Sequence, residues 1–153
     1  MGTNMDSGVT INGAAGADEI TMTDSMQATT DLDNVTNVET ITLGAAATSI
    51  TSVNALVANG ATLTVNGSGI GATEFVFDGS AEQDGGKFVF TGSAGDTVLT
   101  GGSGNDIFNL ASDNFDASDS FDGSTGSDTV NITGNTVIVN ADIDATTFAN
   151  IDV

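Results

Sequence analysis

The sequence predicts an all-β protein built as a parallel β-solenoid, a β-roll, flanked by less regular strands. Three observations predict this fold class. A nine-residue pattern of glycines, one acid and one apolar residue recurs along the chain. Short segments rich in β-branched and aromatic residues alternate with Gly-Ser-Asp turns, as strands in a repeating fold do. The chain also has 20 glycines and no proline, so its turns depend on Gly, Asn, Asp and Ser.

The best copy of the pattern is residues 101–109, GGSGNDIFN, which fits the nonapeptide G-G-x-G-x-D-x-U-x at every position. In such a unit, glycine permits positive φ and a close approach of backbone carbonyls. The acid, Asp106 here, supplies a hard anionic oxygen. The apolar residue begins a short strand with its side chain inward. The unit therefore predicts a turn that binds a cation, followed by a strand whose apolar side chain packs inside the fold.

Three further segments repeat this pattern less completely. Residues 13–21 (GAAGADEIT) and 123–131 (GSTGSDTVN) keep Gly, Gly, Asp and an aliphatic residue in the same places. Residues 92–100 (GSAGDTVLT) have the same length, but their acid, Asp96, comes one position early and leaves Thr97 at the acid position. A weaker coil is predicted at residues 83–91 (QDGGKFVFT). Recurrence of the pattern predicts stacked coils rather than an isolated loop.

In chain order, the first predicted strands lie at residues 19–23 and 38–43, separated by a polar segment. The alanines of residues 44–57 permit a helix, but β-branched residues and flanking strands favour a strand or an irregular coil. Clear strands follow at residues 62–66, 74–77, 87–90, 96–99 and 106–109. We divide the chain into a partial β module, residues 1–60, and a regular β-roll with the start of the next repeat, residues 61–153. The two are expected to form one continuous solenoid.

The spacing of these strands suits solenoid coils or a small sandwich equally, and the shared G-x-x-G turns favour the solenoid. Most of the eight phenylalanines lie between Phe75 and Phe121. Large apolar side chains are usually buried, so we predict that these rings form a stacked core rather than a binding platform.

The two ends of the chain resemble each other. Residues 11–23 align with residues 121–133, and residues 37–39 align with residues 150–152. These matches predict an internal module of roughly 110 residues, of which the chain holds one period and the head of the next. We expect both chain ends to be cut from a longer protein.

The charge of the chain is extreme, with 21 acids against the single base Lys87. This balance excludes nucleic acid as a ligand, because phosphate binding needs clustered Lys and Arg. It also argues against an anionic membrane surface, and no run of apolar residues is long enough to predict membrane insertion. Cations and cationic partners remain.

The side chains of the usual catalytic chemistry are missing. The chain has no His, Cys, Tyr or Arg, so the common nucleophiles and general bases are absent and we do not predict an enzyme. The same absence argues against zinc and copper, which prefer softer ligands. Calcium is the metal that a set of oxygen ligands selects.

Stacked aspartates would oppose folding in the absence of a cation. Carboxylates of neighbouring coils spaced about 4.8 Å apart repel by roughly 3 kcal/mol at an effective dielectric of about 20. A divalent ion between them reverses the sign of this term. We therefore expect calcium binding to be coupled to folding.

These motifs resemble the RTX (repeats-in-toxin) group of secreted calcium-binding proteins, over residues 87–132 and the outlying copy at residues 13–21. The resemblance implies calcium held between turns by backbone carbonyls and by the aspartate carboxylates. It carries over to four aspartates and to four further turn positions, namely Asp106, Asp128, Asp18, Asp96, Gly101, Ser103, Asn105 and Gly123.

Further acids lie beside the best turns. Asp113, Asp116, Asp119 and Asp122 recur every third residue. They form either a solvated acidic loop or a set in which Asp122 and Asp119 complete a calcium site. Asp78 lies in the same four-residue sequence as Asp122, FDGS. Under the second interpretation it would therefore also complete a calcium site.

The resemblance implies an extracellular, bacterial cell-surface location. We expect a calcium-dependent structural module of a surface-layer protein or RTX adhesin, which folds outside the cell and assembles with other copies in an array. No basic and apolar leader is visible at the N-terminus, which fits a type I route using a C-terminal signal. Two alternatives stay open. T-x-T pairs at Thr21, Thr40 and Thr62 suit a module that binds carbohydrate, protein or ice, and the chain also suits the folding and secretion domain of an RTX exoenzyme.

Overall fold

The computed structural model describes residues 8–23, 32–45, 49–143 and 147–152, and it forms a parallel β-solenoid. The strands are β1 (Ile11–Asn12), β2 (Glu19–Met22), β3 (Val35–Thr36), β4 (Thr40–Leu43), β5 (Ser49–Thr51), β6 (Thr62–Asn66), β7 (Phe75–Asp78), β8 (Lys87–Thr91), β9 (Thr97–Thr100), β10 (Ile107–Ala111), β11 (Ser120–Asp122), β12 (Thr129–Thr133) and β13 (Phe148–Ala149). A single turn of 3₁₀ helix, Ser112–Asn114, follows β10. The predicted fold class is confirmed.

Successive strands alternate between two faces of the solenoid. The long sheet has six strands in the order β12-β10-β8-β6-β4-β2, and the short sheet has five in the order β13-β11-β9-β7-β5. Strands β1 and β3 form a further pair. Every pairing among the described residues is parallel, as stacked coils require. Strands β4 and β6, on either side of residue 60, pair directly.

Alternate side chains of each central strand point into a continuous apolar core. In β8 the pattern places Phe88 and Phe90 fully inside, with no exposed surface. Phe90 stacks on Phe108 of the next coil with ring centroids 5.2 Å apart, and Phe108 meets Phe121 edge-on at 5.9 Å. The predicted core of stacked phenylalanine rings is confirmed.

Some strand boundaries differ from the predicted ones. The strands predicted at 74–77, 96–99 and 106–109 each begin one residue later than expected. For the last of these, Asp106 belongs to the turn because its side chain bonds to backbone amides there. The ambiguous segment contains strand β5 and then an irregular path, although residues 46–48 lie outside the described residues.

The backbone follows the sequence repeat between the two ends. Ala14 has a φ of 67° and its counterpart Ser124 has a φ of 63°. The left-handed residues Asn37 and Asn150 share a φ of 51°. Positive φ is uncommon outside glycine, so its recurrence at matched positions indicates one turn conformation used twice.

We find no helix with the length and apolar character that a bilayer crossing requires, in the part of the chain that the structure describes.

Candidate cation site at the stacked glycine turns

The best motif copies stack on one side of the solenoid. Turns 101–106 and 123–128 both lead from the short sheet to the long sheet, so they lie on the same edge in adjacent coils. We call this the aspartate edge and define it as turns 79–86, 101–106, 123–128 and 150–152. Turn 92–96 leads from the long sheet to the short one and lies on the opposite edge. The turn at 13–18 lies on the same side as the aspartate edge but several coils away.

Asp106 ties two coils together. Its side chain is fully buried. Its Oδ1 accepts a hydrogen bond from the amide of Phe88 in the previous coil at 2.7 Å, and its Oδ2 accepts one from the amide of Gly102 at 2.8 Å. Gly101 must lack a side chain here, because a Cβ would overlap the Asp106 carboxylate. Both oxygens therefore already satisfy backbone donors.

Asp128 continues this arrangement in the next coil. Its Oδ1 accepts a hydrogen bond from the amide of Asp106 at 2.7 Å, and Oδ2 of Asp152 accepts one from the amide of Asp128 at 2.9 Å. The side chain of Asp128 is 1% exposed, and its Oδ2 is buried with no hydrogen-bond partner. That oxygen lies over Gly123, where a Cβ would overlap it. Asp106, Asp128 and Asp152 thus each accept a hydrogen bond from a backbone amide of the preceding coil.

The two turns differ in backbone conformation, and this difference leaves Asp128 Oδ2 without a donor. In turn 123–128, Ser124 and Gly126 have φ values of 63° and 140°. The amide of Ser124 consequently donates to Oδ1 of Asp122 at 2.9 Å rather than to Asp128.

The predicted use of positive φ is wrong for the best copy of the motif, because none of its described glycines has it. Glycine is needed in turn 101–106 for close approach instead. A Cβ on Gly104 would overlap the carbonyl oxygen of Gly86, and one on Gly102 would lie 2.7 Å from Cβ of Glu82.

The turn at Asp18 repeats the geometry of the turn at Asp128. Oε2 of Glu39 accepts a hydrogen bond from the amide of Asp18 at 2.8 Å. Oδ2 of Asp18 is also buried with no partner. Two equivalent turns therefore each hold one unpartnered carboxylate oxygen.

Burial weakens two acids of the aspartate edge, Asp106 and Asp128. Desolvation is the main cause that raises the pKa of Asp106 to about 6, and the negative charges of Asp128 and Glu82 raise it further. Hydrogen bonds from the amides of Phe88 and Gly102 oppose this rise. Desolvation likewise raises the pKa of Asp128, with added contributions from the charges of Asp152 and Asp122. The edge is a line of negative charge that positive charge would stabilise.

Glu82 is a member of this line that the sequence reasoning missed. It is 1% exposed, and its Oε1 accepts hydrogen bonds from the amides of Asp84 at 2.9 Å and Gly86 at 3.0 Å. Its Oε2 is buried with no partner, and desolvation raises its pKa. Turn 79–86 has eight residues, two more than turns 101–106 and 123–128, so its acid stands outside the motif. The sequence signal that could have identified Glu82 was its position four residues before Gly86.

Two predicted site residues lie away from the aspartate edge. Asp119 is buried at the opposite edge, where its Oδ1 accepts a hydrogen bond from the amide of Thr97 at 2.7 Å and its Oδ2 accepts one from Asp116 at 2.9 Å. Thr97, at the acid position of its motif, is buried and its Oγ1 accepts a hydrogen bond from Ser93 at 3.2 Å. Asp96 is exposed. Asp119 and Asp122 therefore lie at opposite ends of β11 and are not brought together.

The remaining predicted residues link or shape turns. Oδ1 of Asp122 accepts a bond from Nδ2 of Asn150 at 2.7 Å as well as the one from Ser124. Oδ1 of Asp78 accepts a bond from the amide of Ser80 at 3.0 Å. The Oγ atom of Ser103 accepts a bond from the amide of Gly85 at 3.0 Å, and Oδ1 of Asn105 accepts one from Ser127 at 3.1 Å.

Clusters of three or more acids or other ligating side chains that could hold a metal do not occur among the residues described. A cation at the aspartate edge would therefore need backbone carbonyls as ligands in addition to one or two carboxylates. Asp128 fits this requirement, because its Oδ2 is buried, anionic and without a donor. Only oxygen atoms are available there, and such ligands suit a hard cation.

Comparison with known proteins finds no matching family model, no similar curated protein and no similar solved structure.

Proposed function

We propose that this chain is a calcium-dependent structural module of a secreted bacterial surface protein, of the surface-layer or RTX adhesin kind. The observation that carries the proposal is the unpartnered, buried Oδ2 of Asp128 in a glycine turn stacked on the turn of Asp106. Burying an anionic oxygen without a hydrogen bond is costly, and a bound cation would remove that cost.

The proposed ion is calcium. Asp128 and the backbone carbonyls of turns 101–106 and 123–128 would hold it, and Asp18 would hold a second ion in the equivalent turn. Calcium accepts six to eight oxygen ligands in flexible geometry, so carbonyls from two glycine turns suit it better than they suit magnesium. The bound ion supplies positive charge to a line of like charges. Asp106 supports the turn through its two amide hydrogen bonds.

The charge of the chain supports a role outside the cell. With a net charge of −20, the cation-free chain resists compaction. Extracellular modules bind calcium with dissociation constants of about 0.1–1 mM. The chain would be less stable in low cytosolic calcium and would gain stability from calcium after export. Its role is mechanical and architectural, and no catalysis is proposed.

Calcium should raise the thermal midpoint of the chain through Asp128. We expect the midpoint in 5 mM calcium (about five- to fiftyfold above such constants) to exceed that in EGTA by more than about 5 °C, read by far-UV circular dichroism. The Asp128→Asn variant should lose most of this increase, because the amide adds no charge to the site.

The matched control is Asp96→Asn, which removes one exposed carboxylate and should keep the increase. An equal midpoint with and without calcium, or an increase that survives in both variants, would count against calcium binding at this turn.

A second candidate function is ligand binding on the outer face of the long sheet. The strand registers place six polar side chains in one row across all its coils, namely Thr21, Thr42, Asn66, Thr91, Asn109 and Asn131. Nδ2 of Asn131 donates to Oδ1 of Asn109 at 3.1 Å within this row. The neighbouring row contains Val89 and Ile107, so the predicted T-x-T pairs do not build two continuous polar rows.

Retention on immobilised polysaccharide would test this candidate. The row offers hydroxyl and amide groups at the strand spacing of about 4.8 Å, so a repeating sugar is the matching ligand. Replacing Thr91 with Val in the centre of the row should reduce retention several-fold, and the same change at exposed Thr125 in turn 123–128 should not. Retention that is equal for both variants, or none for the parent chain, would exclude it.

A further inference from the structure

Turn 79–86 holds a buried carboxylate that the repeat motif does not account for. Glu82 is 1% exposed, and its Oε1 accepts hydrogen bonds from the amides of Asp84 at 2.9 Å and Gly86 at 3.0 Å. Its Oε2 is buried and has no hydrogen-bond partner. An ionised carboxylate in such a place is costly unless positive charge or a further donor reaches it. The second oxygen of Glu82 therefore needs a partner that the described residues do not supply.

Glu82 is fixed between two stacked turns. The amide of Ser103 in the next coil donates to the backbone carbonyl of Glu82 at 3.0 Å, and the amide of Glu82 donates to the carbonyl of Gly79 at 2.9 Å. Gly102 lies directly against the side chain, because a Cβ at Gly102 would be 2.7 Å from Cβ and 2.9 Å from Cγ of Glu82. The stacking of turn 101–106 on turn 79–86 therefore keeps Oε2 inside the aspartate edge.

A second carboxylate, that of Asp84, lies beside Glu82 and is exposed to solvent. Desolvation is the main cause that raises the pKa of Glu82, and Asp84 raises it further through a hydrogen bond between the two carboxyl groups and through its charge. When both groups are ionised, neither has a proton to donate to the other. Two such carboxylates are held together either by one shared proton or by one cation.

Neighbouring groups do not neutralise this pair. Lys87, the single base of the chain, follows the turn, but it alternates with the inward Phe88 along β8 and gives Oε2 of Glu82 no hydrogen bond. The coil below contributes turn 52–61, which contains no acid and is packed with the buried Leu56 and Val57. A cation at Glu82 would therefore be a single ion at the point where the edge changes from apolar to acidic.

We propose that turn 79–86 is a separate cation site, in which the carboxylates of Glu82 and Asp84 hold one calcium ion. The choice of calcium rests on the proposed function, whereas the site uses none of the acids of the repeat motif. Glu82 supplies a buried anionic oxygen and Asp84 an exposed one. Because Asp84 is exposed, the ion enters from solvent, and water and backbone carbonyls complete the six to eight oxygen ligands that calcium takes.

A calcium titration followed by NMR tests the site at the level of single residues. The amides of Asp84 and Gly86 are the reporters, because both donate to Oε1 of Glu82. The titration uses the Asp128→Asn chain at neutral pH, so that the calcium site of the proposed function is removed. We expect calcium to shift both amide signals along a saturating curve, with a dissociation constant of about 0.1–1 mM. Sodium at matched ionic strength should leave them in place.

Two variants and a matched control assign the response to this turn. Glu82→Gln keeps the shape and the acceptor oxygen but removes the charge, and it should weaken calcium binding at least about tenfold, because the charge of the ligands sets the affinity. Asp84→Asn alters only an exposed side chain and should weaken binding several-fold. Glu74→Gln removes an exposed carboxylate on the opposite edge and should leave the curve unchanged. The dispersion of each spectrum verifies that the variant is folded.

The outcomes separate this site from the one at Asp128. Signals that follow pH but not calcium would mean that Glu82 and Asp84 share a proton, and this would overturn the proposal. Equal shifts with sodium, or a calcium response that Glu82→Gln and Asp84→Asn both retain, would also overturn it. If the reporters respond while Asp128→Asn leaves the calcium stabilisation intact, the site at Glu82 stands and the assignment of calcium to Asp128 fails. The reverse result keeps the proposed function and rejects this site.

Discussion

At the scale of single residues, buried acids organise the coils by accepting backbone hydrogen bonds. Asp106, Asp119 and Asp128 each accept a hydrogen bond from an amide of the preceding coil. Hydrogen bonds to charged groups contribute about 1.5–3 kcal/mol each, and loss of the acceptor leaves a buried donor unsatisfied. These residues are therefore structural supports whether or not a cation is bound.

The raised pKa of Asp106 predicts that the cation-free chain is most stable in acid. Its folded pKa of about 6 exceeds the ordinary value of 3.8, so the folded state binds the proton more tightly than the unfolded state. The stabilisation is complete below about pH 4 and is lost as pH rises through about 6. In EGTA, the thermal midpoint should fall between pH 4 and pH 7.

The Asp106→Asn variant separates this effect from the general charge of the chain. Its midpoint should vary less steeply with pH, since the titrating buried group is gone, while Asp96→Asn should retain the slope of the parent chain. A midpoint that rises between pH 4 and pH 7 in EGTA would contradict the assignment.

Sequence reasoning placed Asp106 and Asp128 correctly in stacked turns because glycine spacing fixes where the backbone can reverse. It did not place Asp119, whose role depends on the amide of Thr97 in another coil. Glu82 was missed for a similar reason, since its turn is two residues longer than the turn of the motif and its contacts follow from folding. The local sequence pattern predicts where a turn occurs. The hydrogen-bond partner in the neighbouring coil depends on the register between coils, which the local pattern does not give.

At the scale of secondary structure, strands with alternating apolar residues were predictable and short polar ones were not. Strand β6 has the bounds expected from its alternation, Thr62–Asn66. Strand β11 has three residues, and only one of them, Phe121, is apolar. It is held by parallel pairing with β9 and β13 on its two sides. Neighbouring coils impose an extended conformation there that propensity alone does not predict.

The ring stack predicts that Phe108 is a major contributor to stability. It contacts Phe90 and Phe121 in the coils on either side and has no exposed surface. Phe108→Ala should lower the free energy of unfolding by about 3–5 kcal/mol, measured by urea denaturation in calcium.

The matched change is Val89→Ala in the neighbouring strand, whose side chain faces outward and is only half-buried. It should cost less than about 1 kcal/mol, as surface changes usually do. Comparable losses for the two variants would contradict a core built on this stack.

At the scale of the whole molecule, charge rather than apolar area is expected to set the conditions for folding. The chain is long enough to bury a continuous core, but it does so while bringing many acids together along one edge. Monovalent salt screens the repulsion between these acids, because the Debye length is about 10 Å at 0.1 M. Such screening does not require a monovalent ion to occupy a site. A calcium site would respond to the identity of the ion as well as to ionic strength.

Calcium and sodium chloride at matched ionic strength separate these two effects. We expect calcium to raise the thermal midpoint by several degrees more than sodium, and magnesium to fall between them because it prefers near-octahedral geometry and retains its waters. Differential scanning calorimetry provides the measurement. Identical midpoints in the three salts would reduce the role of the ion to screening.

The parallel register also determines how the molecule would respond to a pulling force. Each strand is bonded only to strands one coil away, as in the pairing of Phe75 with Thr97 across 22 residues. Tension applied at the two termini would therefore peel the outermost coil first and leave the next one intact. Each step would lengthen the chain by about 70–80 Å, at about 3.3–3.6 Å per residue, so an array of such modules would yield gradually under load instead of rupturing at once.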